Sequence, residues 1–386
     1  MSVNEKSDTT LLLPLGNSSV PVWGIDGRER LTRQAKRLGV PVASAVEALP
    51  ASTDPVVLLR ADYVIEENLI ADLLRQHPCV LVDPATGLVV GANVSCQSAA
   101  ELEPRIRSGI DAAALKDAMG GEPIANVAVE DTRYNSTLRR HVTPFLRPIS
   151  QETRPAIERH LFDLAYKGVT DVVTKFAWPW PAFHVTRFCA AMGISPNMVT
   201  TASGVLVLVA YWLFAEGHFG AGLVAAWGMT FLDTVDGKLA RVTVTSSVFG
   251  NIFDHGIDLI HPPFWYWAWI VGLSASGIGL WESQAIAVIV IGGYVVQRIQ
   301  EGVFRHSFGV HVHVWRPFDS FFRTITARRN PNLLLLTGFT IAGRPDLGMI
   351  AVAVWTVICL GVHMVQIVQA LLIRLKGERV RSWLEV

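Results

Sequence analysis

The chain has 386 residues, of which 17% are charged and 51% hydrophobic, and its formal net charge is +0. A typical soluble domain carries roughly 25% charged residues, so the composition excludes an ordinary soluble protein, and the neutral charge predicts no nucleic-acid partner. The apolar excess is confined to one part of the chain. Residues 1–160 are mixed and polar, whereas long apolar runs begin near Met198. We therefore expect a soluble N-terminal domain followed by a membrane-embedded one.

The N-terminal domain, residues 1–150, alternates short β-rich runs with amphipathic segments. Its predicted elements are the strands Leu11–Leu15, Val56–Leu59, Val80–Asp83 and Gly87–Val94 and the helices Glu29–Leu38 and Glu67–Gln76. Such alternation indicates an α/β domain with a largely parallel sheet. The first ten residues lack the apolar core of a signal peptide, so we expect this domain in the cytosol. The four cysteines are scattered without a CxxC pair, which predicts structural thiols rather than a zinc site.

Residues 151–195 form an interfacial linker between the two domains. Its first helix is predicted over Arg154–Leu164, and a Trp- and Pro-rich stretch over 178–183 follows. Tryptophans beside a membrane entry point usually lie at the headgroup level. A second amphipathic helix, over Ala182–Met192, is expected to lie flat on the cytoplasmic surface with Arg187 towards the lipid phosphates.

The third part, residues 196–376, is predicted to be a bundle of six transmembrane helices, followed by a cytosolic tail over 377–386. A span needs roughly 20 residues to cross the hydrocarbon, and the predicted spans are 198–216, 219–240, 247–273, 284–304, 332–343 (short or tilted) and 347–373. With both termini in the cytosol, the outward loops carry almost no Lys or Arg, and the inward segments carry many. That asymmetry is the positive-inside rule. The chain is thus predicted to be an integral protein of the cytoplasmic (inner) membrane.

Four aspartates lie where the second predicted span ends and the third begins. Their spacing, in steps of three and four, places them on one face of each of two neighbouring antiparallel helices, together with small residues. The face of the second span carries Asp233, Asp236, Gly237 and Ala240, and that of the third carries Gly250, Asp254 and Asp258. The four carboxylates can therefore converge near the cytoplasmic boundary.

Carboxylates in such apolar flanks need compensation, because each charge near the bilayer centre costs roughly 2.5–3.5 kcal/mol on insertion scales. Lys238 and Arg241 are the local counter-charges. Bound divalent cations are the simplest way to compensate the carboxylate charges, and all-oxygen ligands favour Mg²⁺ or Mn²⁺ over zinc. A pair of such ions is suited to phosphoryl transfer, because together they stabilise the attacking and leaving oxygens.

The order Asp233-x2-Asp236-Gly237-x2-Ala240-Arg241-x8-Gly250-x3-Asp254-x3-Asp258 matches the signature of the CDP-alcohol phosphotransferase family without a substitution. Eight fixed positions arise by chance roughly once in 10^10 starting points. The resemblance covers about residues 160–376. It implies a six-helix, usually homodimeric membrane enzyme that opens to the cytosol. Such an enzyme transfers a phospho-alcohol group from a CDP-linked donor to an alcohol acceptor and releases CMP, in phospholipid synthesis.

The resemblance also implies roles for individual residues. Asp233, Asp236 and Asp254 look like metal ligands, and Asp258 looks like a ligand that also accepts the proton of the acceptor hydroxyl. The CDP pocket is implied at Gly237, Ala240, Arg241 and Gly250. Upstream, residues 195–200 are similar to the family's Pro-Asn-x-x-Thr element. Asn197 and Thr200 are therefore candidate nucleotide contacts, with helix capping as the alternative.

Two other groups of side chains are candidates for supporting roles. His255 and His261 flank the aspartates, and hydrogen-bonded packing histidines are favoured there over metal ligands. Pro262 and Pro263 are expected to kink the third span. The basic stretch over 298–329 is a candidate site for a phosphate on the acceptor, and the alternative is lipid headgroup contact. The arginines nearest to predicted helix ends are Arg298, Arg305, Arg328 and Arg329.

The N-terminal domain loosely resembles a nucleotidyltransferase, and some members of the family are fused to an inositol-phosphate cytidylyltransferase. Asp62, after the second strand, is similar to that fold's metal-binding aspartate. The glycine-rich, Arg-ending loop of that fold is missing, and residues 16–21 stand in its place. A degenerate domain is therefore favoured over an active one. The rival class for the whole chain is a membrane cation transporter that uses the same aspartates.

Overall fold

The computed structural model describes residues 10–49, 55–120, 124–129, 132–135, 138–246 and 248–385. The chain divides into two compact units. Unit 1 contains 1–133, 141–165 and 241–245, and unit 2 contains 134–140, 166–240 and 246–386.

The strands are short, and five of them form one mixed sheet. They are β1 (Leu11–Leu15), β2 (Val56–Arg60), β3 (Tyr63–Ile65), β4 (Cys79–Val82), β5 (Val89–Val94), β6 (Ala125–Asn126), β7 (Arg133–Asn135), β8 (Arg140–Val142) and β9 (Leu146–Pro148). The sheet order is β1-β2-β5-β4-β6. Strands β1 and β2 are parallel, as are β4 and β6, whereas β5 is antiparallel to both β2 and β4.

The prediction of a largely parallel sheet is therefore wrong, and the reason is the turn after β4. A parallel connection needs a crossover of a dozen or more residues, but β4 and β5 are joined by a short hairpin. Asp83 closes this turn, because its backbone N–H donates to Leu88 O (2.9 Å) and its carbonyl accepts from Gly87 N–H (2.8 Å). Gly87 has φ +72°, in the left-handed region that glycine adopts easily. The sequence interpretation had placed Gly87 inside a strand.

In the described residues, five helices belong to the segments of unit 1. They are α1 (Gly27–Leu38), α2 (Glu67–Arg75), α3 (Cys96–Ser108), α4 (Ala112–Ala118) and α5 (Arg154–Leu164). Helix α5 has the predicted bounds, and α1 and α2 lie within two residues of theirs. Val56 to Leu59 of β2 are fully buried, because separate apolar clusters cover the two faces of the sheet. The predicted α/β fold of this region is confirmed.

Two arginines of α1 bind the short segment 241–245, which is part of unit 1. Arg30 donates to the carbonyl oxygens of Val22 (3.2 Å) and Val242 (2.9 Å), and Arg33 donates to that of Thr243 (2.8 Å). Burial and the neighbouring Arg33 lower the pKa of Arg30 to about 10. These bonds satisfy carbonyls at the C-terminal end of a helix, where cations are favoured.

The other ten helices of the described part of the chain begin in unit 2. They are α6 (Val172–Phe176), α7 (Pro179–Ala191), α8 (Pro196–Ala215), α9 (Phe219–Val242), α10 (Val248–Ala275), α11 (Ser283–Ala287), α12 (Gly293–Phe308), α13 (Pro317–Phe322), α14 (Arg329–Ile341) and α15 (Pro345–Leu375). A π-helical segment, Val288–Gly292, joins α11 to α12 without a break. Helix α10 continues through Pro262 and Pro263.

Three of the described helical stretches are long and apolar enough to cross a membrane: Pro196–Ala215, Ser283–Phe308 and Pro345–Leu375. Each also exposes large apolar side chains, such as Leu208, Ile299 and Val357. Exposed apolar faces of this extent suit contact with lipid. The chain is therefore an integral membrane protein with an N-terminal α/β region.

Close packing of α8 against α10 fixes the geometry of the helices that carry the candidate site. A Cβ added at Gly272 of α10 would lie 1.8 Å from the carbonyl oxygen of Phe214 on α8, so only glycine permits this approach. Trp265 supports the same pair of helices, because its Nε1 donates to Val207 O at 3.0 Å.

Candidate active site

Helices α8 and α9 meet at a buried hydrogen bond between Thr200 and Asp236. Thr200 Oγ1 lies 2.6 Å from Asp236 Oδ2, and Asp236 is 3% exposed. The other carboxylate oxygen, Asp236 Oδ1, is buried and has no hydrogen-bond partner among the described residues. A buried carboxylate oxygen without a partner is costly, so this atom fits a site for a cation.

Arg329, the first residue of α14, joins the other two described aspartates. Its Nη2 lies 2.6 Å from Asp233 Oδ2, and its Nη1 donates to Asp258 Oδ1. The Asp233 and Asp258 side chains lie within hydrogen-bonding range of each other, and both interact electrostatically with Asp236. Helices α8, α9, α10 and α14 therefore bring three predicted metal ligands into one cluster. Asp254 lies on α10, and its side chain is outside the described part of the chain.

The start of α14 explains why arginine and aspartate meet here. Arg328 and Arg329 stand at the N-terminus of the helix, where the macrodipole and unpaired N–H groups favour negative charge. The two arginine side chains are unfavourable at this positive end of the helix unless anions lie nearby. For Arg329, the nearby anions are Asp233 and Asp258. Pro331 is tolerated because it lies in the first helical turn.

The predicted nucleotide contacts fall on the same helices, and their role stays a prediction. Gly237 and Ala240 are half-buried on α9, as are Arg241 near its end and Gly250 near the start of α10. Asn197 is exposed on the first turn of α8. The cap of that helix is Ser195, which accepts from Met198 N–H at 3.3 Å. Neither Asn197 nor Thr200 is the capping residue.

His261 is placed as a packing histidine. Its Nδ1 lies 2.7 Å from the carbonyl oxygen of Ile257, and its ring lies edge-to-face against Trp265, with centroids 4.5 Å apart. The side chain of His255 is outside the described part of the chain.

Arginines surround a single glutamate on α12 and form a second group, which we call the basic cluster: Arg139, Arg298, Arg305, Arg323 and Arg328. Arg298 Nη2 lies 2.9 Å from Glu301 Oε1, and Arg328 Nη2 donates to Glu301 Oε2. His313 Nε2 also lies 3.3 Å from Glu301 Oε1. Arg139 interacts electrostatically with Arg305, Arg328 and Glu301. Two of the predicted phosphate-binding arginines, Arg298 and Arg328, thus contact Glu301. Arg305 is exposed and interacts with Arg139, and the fourth, Arg329, lies at the aspartates.

Arg323 contributes a buried charge to the basic cluster. Its Nε and Nη1 are buried and have no hydrogen-bond partner among the described residues. Burial and the neighbouring Arg328 lower the pKa of Arg323 to about 9. Because guanidinium groups stay protonated in proteins, this shift reflects a buried charge that is incompletely compensated. Among the described residues, the arginines of this cluster outnumber the carboxylates with which they interact, Glu301 and Asp171, so the cluster is suited to an anion.

Asp171 connects the short helix α6 with the start of α14. Its Oδ1 accepts from Thr174 N–H (3.0 Å) and from Asn330 Nδ2 (2.9 Å). Burial raises the pKa of Asp171, but the Arg323 charge and the hydrogen bonds from Thr174 and Asn330 outweigh it and leave the pKa lowered. Asn330 adjoins Arg329, so Asp171 fixes the backbone next to the aspartate site.

The sequence interpretation missed four of these side chains: Arg139, Asp171, Glu301 and Arg323. Glu301 and Arg323 lie in the basic stretch that was singled out, and an acidic residue inside a run of arginines is a usable signal. Arg139 and Asp171 lie far from that stretch in sequence, and no local pattern links them to it.

The fold and the site together define an integral membrane protein with a buried carboxylate cluster among its helices. Residues 193–328 match the family model described as CDP-alcohol phosphatidyltransferase. This stretch of the chain is therefore similar to CDP-alcohol phosphatidyltransferases.

The chain is also similar to curated proteins. The chain is 31% identical over 117 residues to archaetidylinositol phosphate synthase of Pyrococcus horikoshii. The aligned residues make up 30% of this chain and 58% of that relative. It is 24% identical over 188 residues to cholinephosphotransferase 1 of Bos taurus. The aligned residues make up 42% of this chain and 45% of that relative. The chain thus spans about half the length of these curated relatives.

Solved structures of phosphatidylinositol phosphate synthase from Mycobacterium tuberculosis are also similar. The apo form has a TM-score of 0.37 and 21% identity, and covers 48% of this chain and 94% of that one. The form with manganese and citrate has a TM-score of 0.37 and 20% identity. The match covers 48% of this chain and 88% of that one.

Proposed function

We propose that this protein transfers a phospho-alcohol group from a CDP-linked donor to an alcohol acceptor, with release of CMP, in phospholipid synthesis. The observation that carries the proposal is the convergence of Asp233, Asp236 and Asp258 from neighbouring helices. The family match over residues 193–328 supports it.

The aspartate cluster fits two divalent cations, Mg²⁺ or Mn²⁺. Asp236 Oδ1, buried and without a described partner, is an oxygen ligand of the kind these ions take. Asp233, Asp236, Asp254 and Asp258 would hold the ions. When bound, such ions stabilise the charge that develops on the transferring phosphoryl group.

The remaining chemistry is assigned to side chains of this chain. Asp258 accepts the proton of the acceptor hydroxyl. The acceptor oxygen forms a bond to the β-phosphorus of the donor, the bond between that phosphorus and the bridging oxygen breaks, and CMP leaves with the electron pair. Gly237, Ala240 and Gly250 leave room for the CDP moiety, Arg241 binds its diphosphate, and Asn197 contacts the nucleotide. Thr200, whose hydroxyl donates to Asp236, positions that carboxylate.

The acceptor is proposed to carry a phosphate, which the basic cluster binds. Support comes from the buried, incompletely compensated charge of Arg323 and from Arg298 and Arg328 at Glu301. Phosphorylated polyols such as inositol phosphate or glycerol phosphate fit this chemistry, whereas an uncharged lipid alcohol leaves the arginines without an anion.

The arrangement in the membrane is likewise a proposal. We infer six spans over residues 196–376, with the linker 151–195, the tail 377–386 and the domain 1–150 all on the cytosolic side of the cytoplasmic membrane. We also infer a homodimer. Three apolar helices of sufficient length and the excess of arginine in the segments between helices support this topology.

The N-terminal domain is proposed to be a degenerate nucleotidyltransferase with a structural role. Its candidate metal ligand, Asp62, is bound by Arg60, whose Nε and Nη2 lie 3.0 and 2.6 Å from the two carboxylate oxygens. An aspartate held bidentately by arginine has both oxygens engaged, which favours a structural role over metal binding.

The proposal is tested by replacing Asp258 with Asn and assaying CMP release from a panel of CDP-alcohols and phosphorylated acceptors. A positioned base contributes about 10²–10⁴-fold, so we expect a loss of at least about 100-fold in kcat. Asp346→Asn is the matched control, because Asp346 pairs with Arg344 outside the site. Wild-type CMP release by Asp258→Asn would overturn the assigned role. Cation flux through proteoliposomes without CDP-alcohol would favour a transporter instead.

A further inference from the structure

We propose that Arg329 is an exchangeable internal cation of the aspartate site, which divalent ions must displace from Asp233 and Asp258 in order to bind. The inference rests on the metal-dependent function proposed above and adds a residue that controls metal loading. It comes from the placement of one guanidinium between carboxylates of two helices.

The contacts of Arg329 engage the oxygens that metal binding requires. Its Nη2 is 2.6 Å from Asp233 Oδ2, its Nη1 donates to Asp258 Oδ1, and its side chain is 15% exposed. Charge-assisted bonds of this kind are among the strongest that side chains make. A divalent ion at the same two oxygens would lie a few ångströms from the guanidinium, where like charges repel strongly at low dielectric.

The described charges indicate that exchange is feasible. Arg329 contacts two of the three described carboxylates, and the third, Asp236, keeps a buried Oδ1 without a partner among the described residues. Asp236 Oδ1 therefore remains open to a cation while Arg329 is in place. A divalent ion bound at Asp236 then repels the Arg329 guanidinium and weakens its ion pairs with Asp233 and Asp258.

The backbone around Arg329 is fixed, so exchange is a movement of the side chain. Asn330 Nδ2 donates to Asp171 Oδ1 at 2.9 Å, which holds the start of α14. A long arginine side chain can swing while its Cα stays in place. Once displaced, the guanidinium stays beside the site and is available for phosphate oxygens, as the sequence interpretation predicted for Arg329.

The first experiment titrates purified full-length protein with Mn²⁺ alone and follows free Mn²⁺ by electron paramagnetic resonance. Arg329→Gln removes the competing charge, and we expect the Mn²⁺ Kd to fall about tenfold, which corresponds to roughly 1.4 kcal/mol. Arg329→Lys keeps the charge but loses the bidentate fork, and we expect an intermediate Kd. Arg344→Gln is the matched control, because that arginine is 57% exposed and binds Asp346 at 2.8 Å. An unchanged or higher Kd in Arg329→Gln would overturn the proposal.

The second experiment uses the wild-type chain and so does not depend on the folding of a variant. An arginine-specific dicarbonyl reagent is applied with and without Mn²⁺, and modification of Arg329 is read by mass spectrometry. We expect Mn²⁺ to increase the labelling of Arg329 at least twofold and to leave Arg344 unchanged; equal or lower labelling would contradict displacement. If the wild-type chain binds no Mn²⁺ at all, the proposed metal-dependent function fails first, and the two failures are distinguished.

Discussion

Arg328 and Arg329 are neighbours in the chain, and their guanidinium groups bind carboxylates of different clusters. Arg328 donates to Glu301 in the basic cluster, whereas Arg329 bridges Asp233 and Asp258. One helix start thus brings the proposed phosphate site of the acceptor next to the proposed metal site. A hydroxyl on a small phosphorylated alcohol can therefore be near Asp258 while its phosphate is held by arginines.

Removing the carboxylate of Glu301 tests whether the basic cluster is an anion site. In Glu301→Gln, Arg298 and Arg328 lose their partner, and breaking a buried ion pair typically costs about 3–5 kcal/mol. We expect the thermal midpoint to drop in phosphate-free buffer and to recover on addition of inorganic phosphate, measured by scanning fluorimetry. Glu378→Gln, a change in an exposed residue after α15, is the control. Equal phosphate dependence of Glu301→Gln and wild type would count against the anion site.

Substitutions of Thr200 test whether its hydroxyl positions the metal ligand Asp236 or contacts the nucleotide. Thr200→Val removes the hydrogen bond to Asp236 Oδ2, seen at 2.6 Å, and leaves that carboxylate without its described donor. A hydrogen bond to a charged group contributes about 1.5–3 kcal/mol, so we expect the Mn²⁺ Kd to rise at least about tenfold with little change in donor KM. Thr200→Ser keeps the hydroxyl and should behave as wild type. A raised donor KM with unchanged metal affinity would support nucleotide contact instead.

Asp171 makes the stability of the start of α14 dependent on pH. Its pKa is lowered in the folded protein, with the Arg323 charge and hydrogen bonds outweighing burial. A depressed carboxyl pKa gives stability that is present above the ordinary value near 3.8 and lost as pH falls through the folded pKa. We expect Asp171→Asn, which keeps a capping oxygen but loses the charge that faces Arg323, to lower the free energy of unfolding at pH 7 and to flatten its dependence on pH below 4. Glu152→Gln, at an exposed residue, serves as the control; parallel acid unfolding curves for Asp171→Asn and wild type would contradict this account.

The cysteines of the α/β region should differ in reactivity. Burial raises the pKa of the Cys79 thiol to about 11, and Cys79 is fully buried. Because the thiolate is the nucleophile, we expect iodoacetamide at pH 7.5 to leave Cys79 unmodified and to alkylate the half-buried Cys96. Peptide mass spectrometry of native and unfolded protein gives the comparison. Equal labelling of both thiols in the native chain would show that the sheet does not protect Cys79.

The sequence predicted those parts of the fold and the site that depend on local patterns. The helix Arg154–Leu164 was predicted with its observed bounds, and steps of three and four placed the aspartates on the faces of two helices. The mixed sheet was missed because the direction of β5 depends on a hairpin turn around Gly87. Arg139 and Asp171 were missed because electrostatic neighbours distant in sequence leave no periodic signal. Arg329 was predicted to bind phosphate, and its contact with Asp233 depends on how α14 packs.

The π-helical segment Val288–Gly292 sets the rotational phase of the helix that follows it. A π turn contains one residue more than an α turn, so loss of a single residue there would rotate α12 by about 100° relative to α11. Arg298 and Glu301, which follow this segment, would then point away from Arg328. The length of this apolar segment thus decides whether the charged residues further along the helix meet their partners.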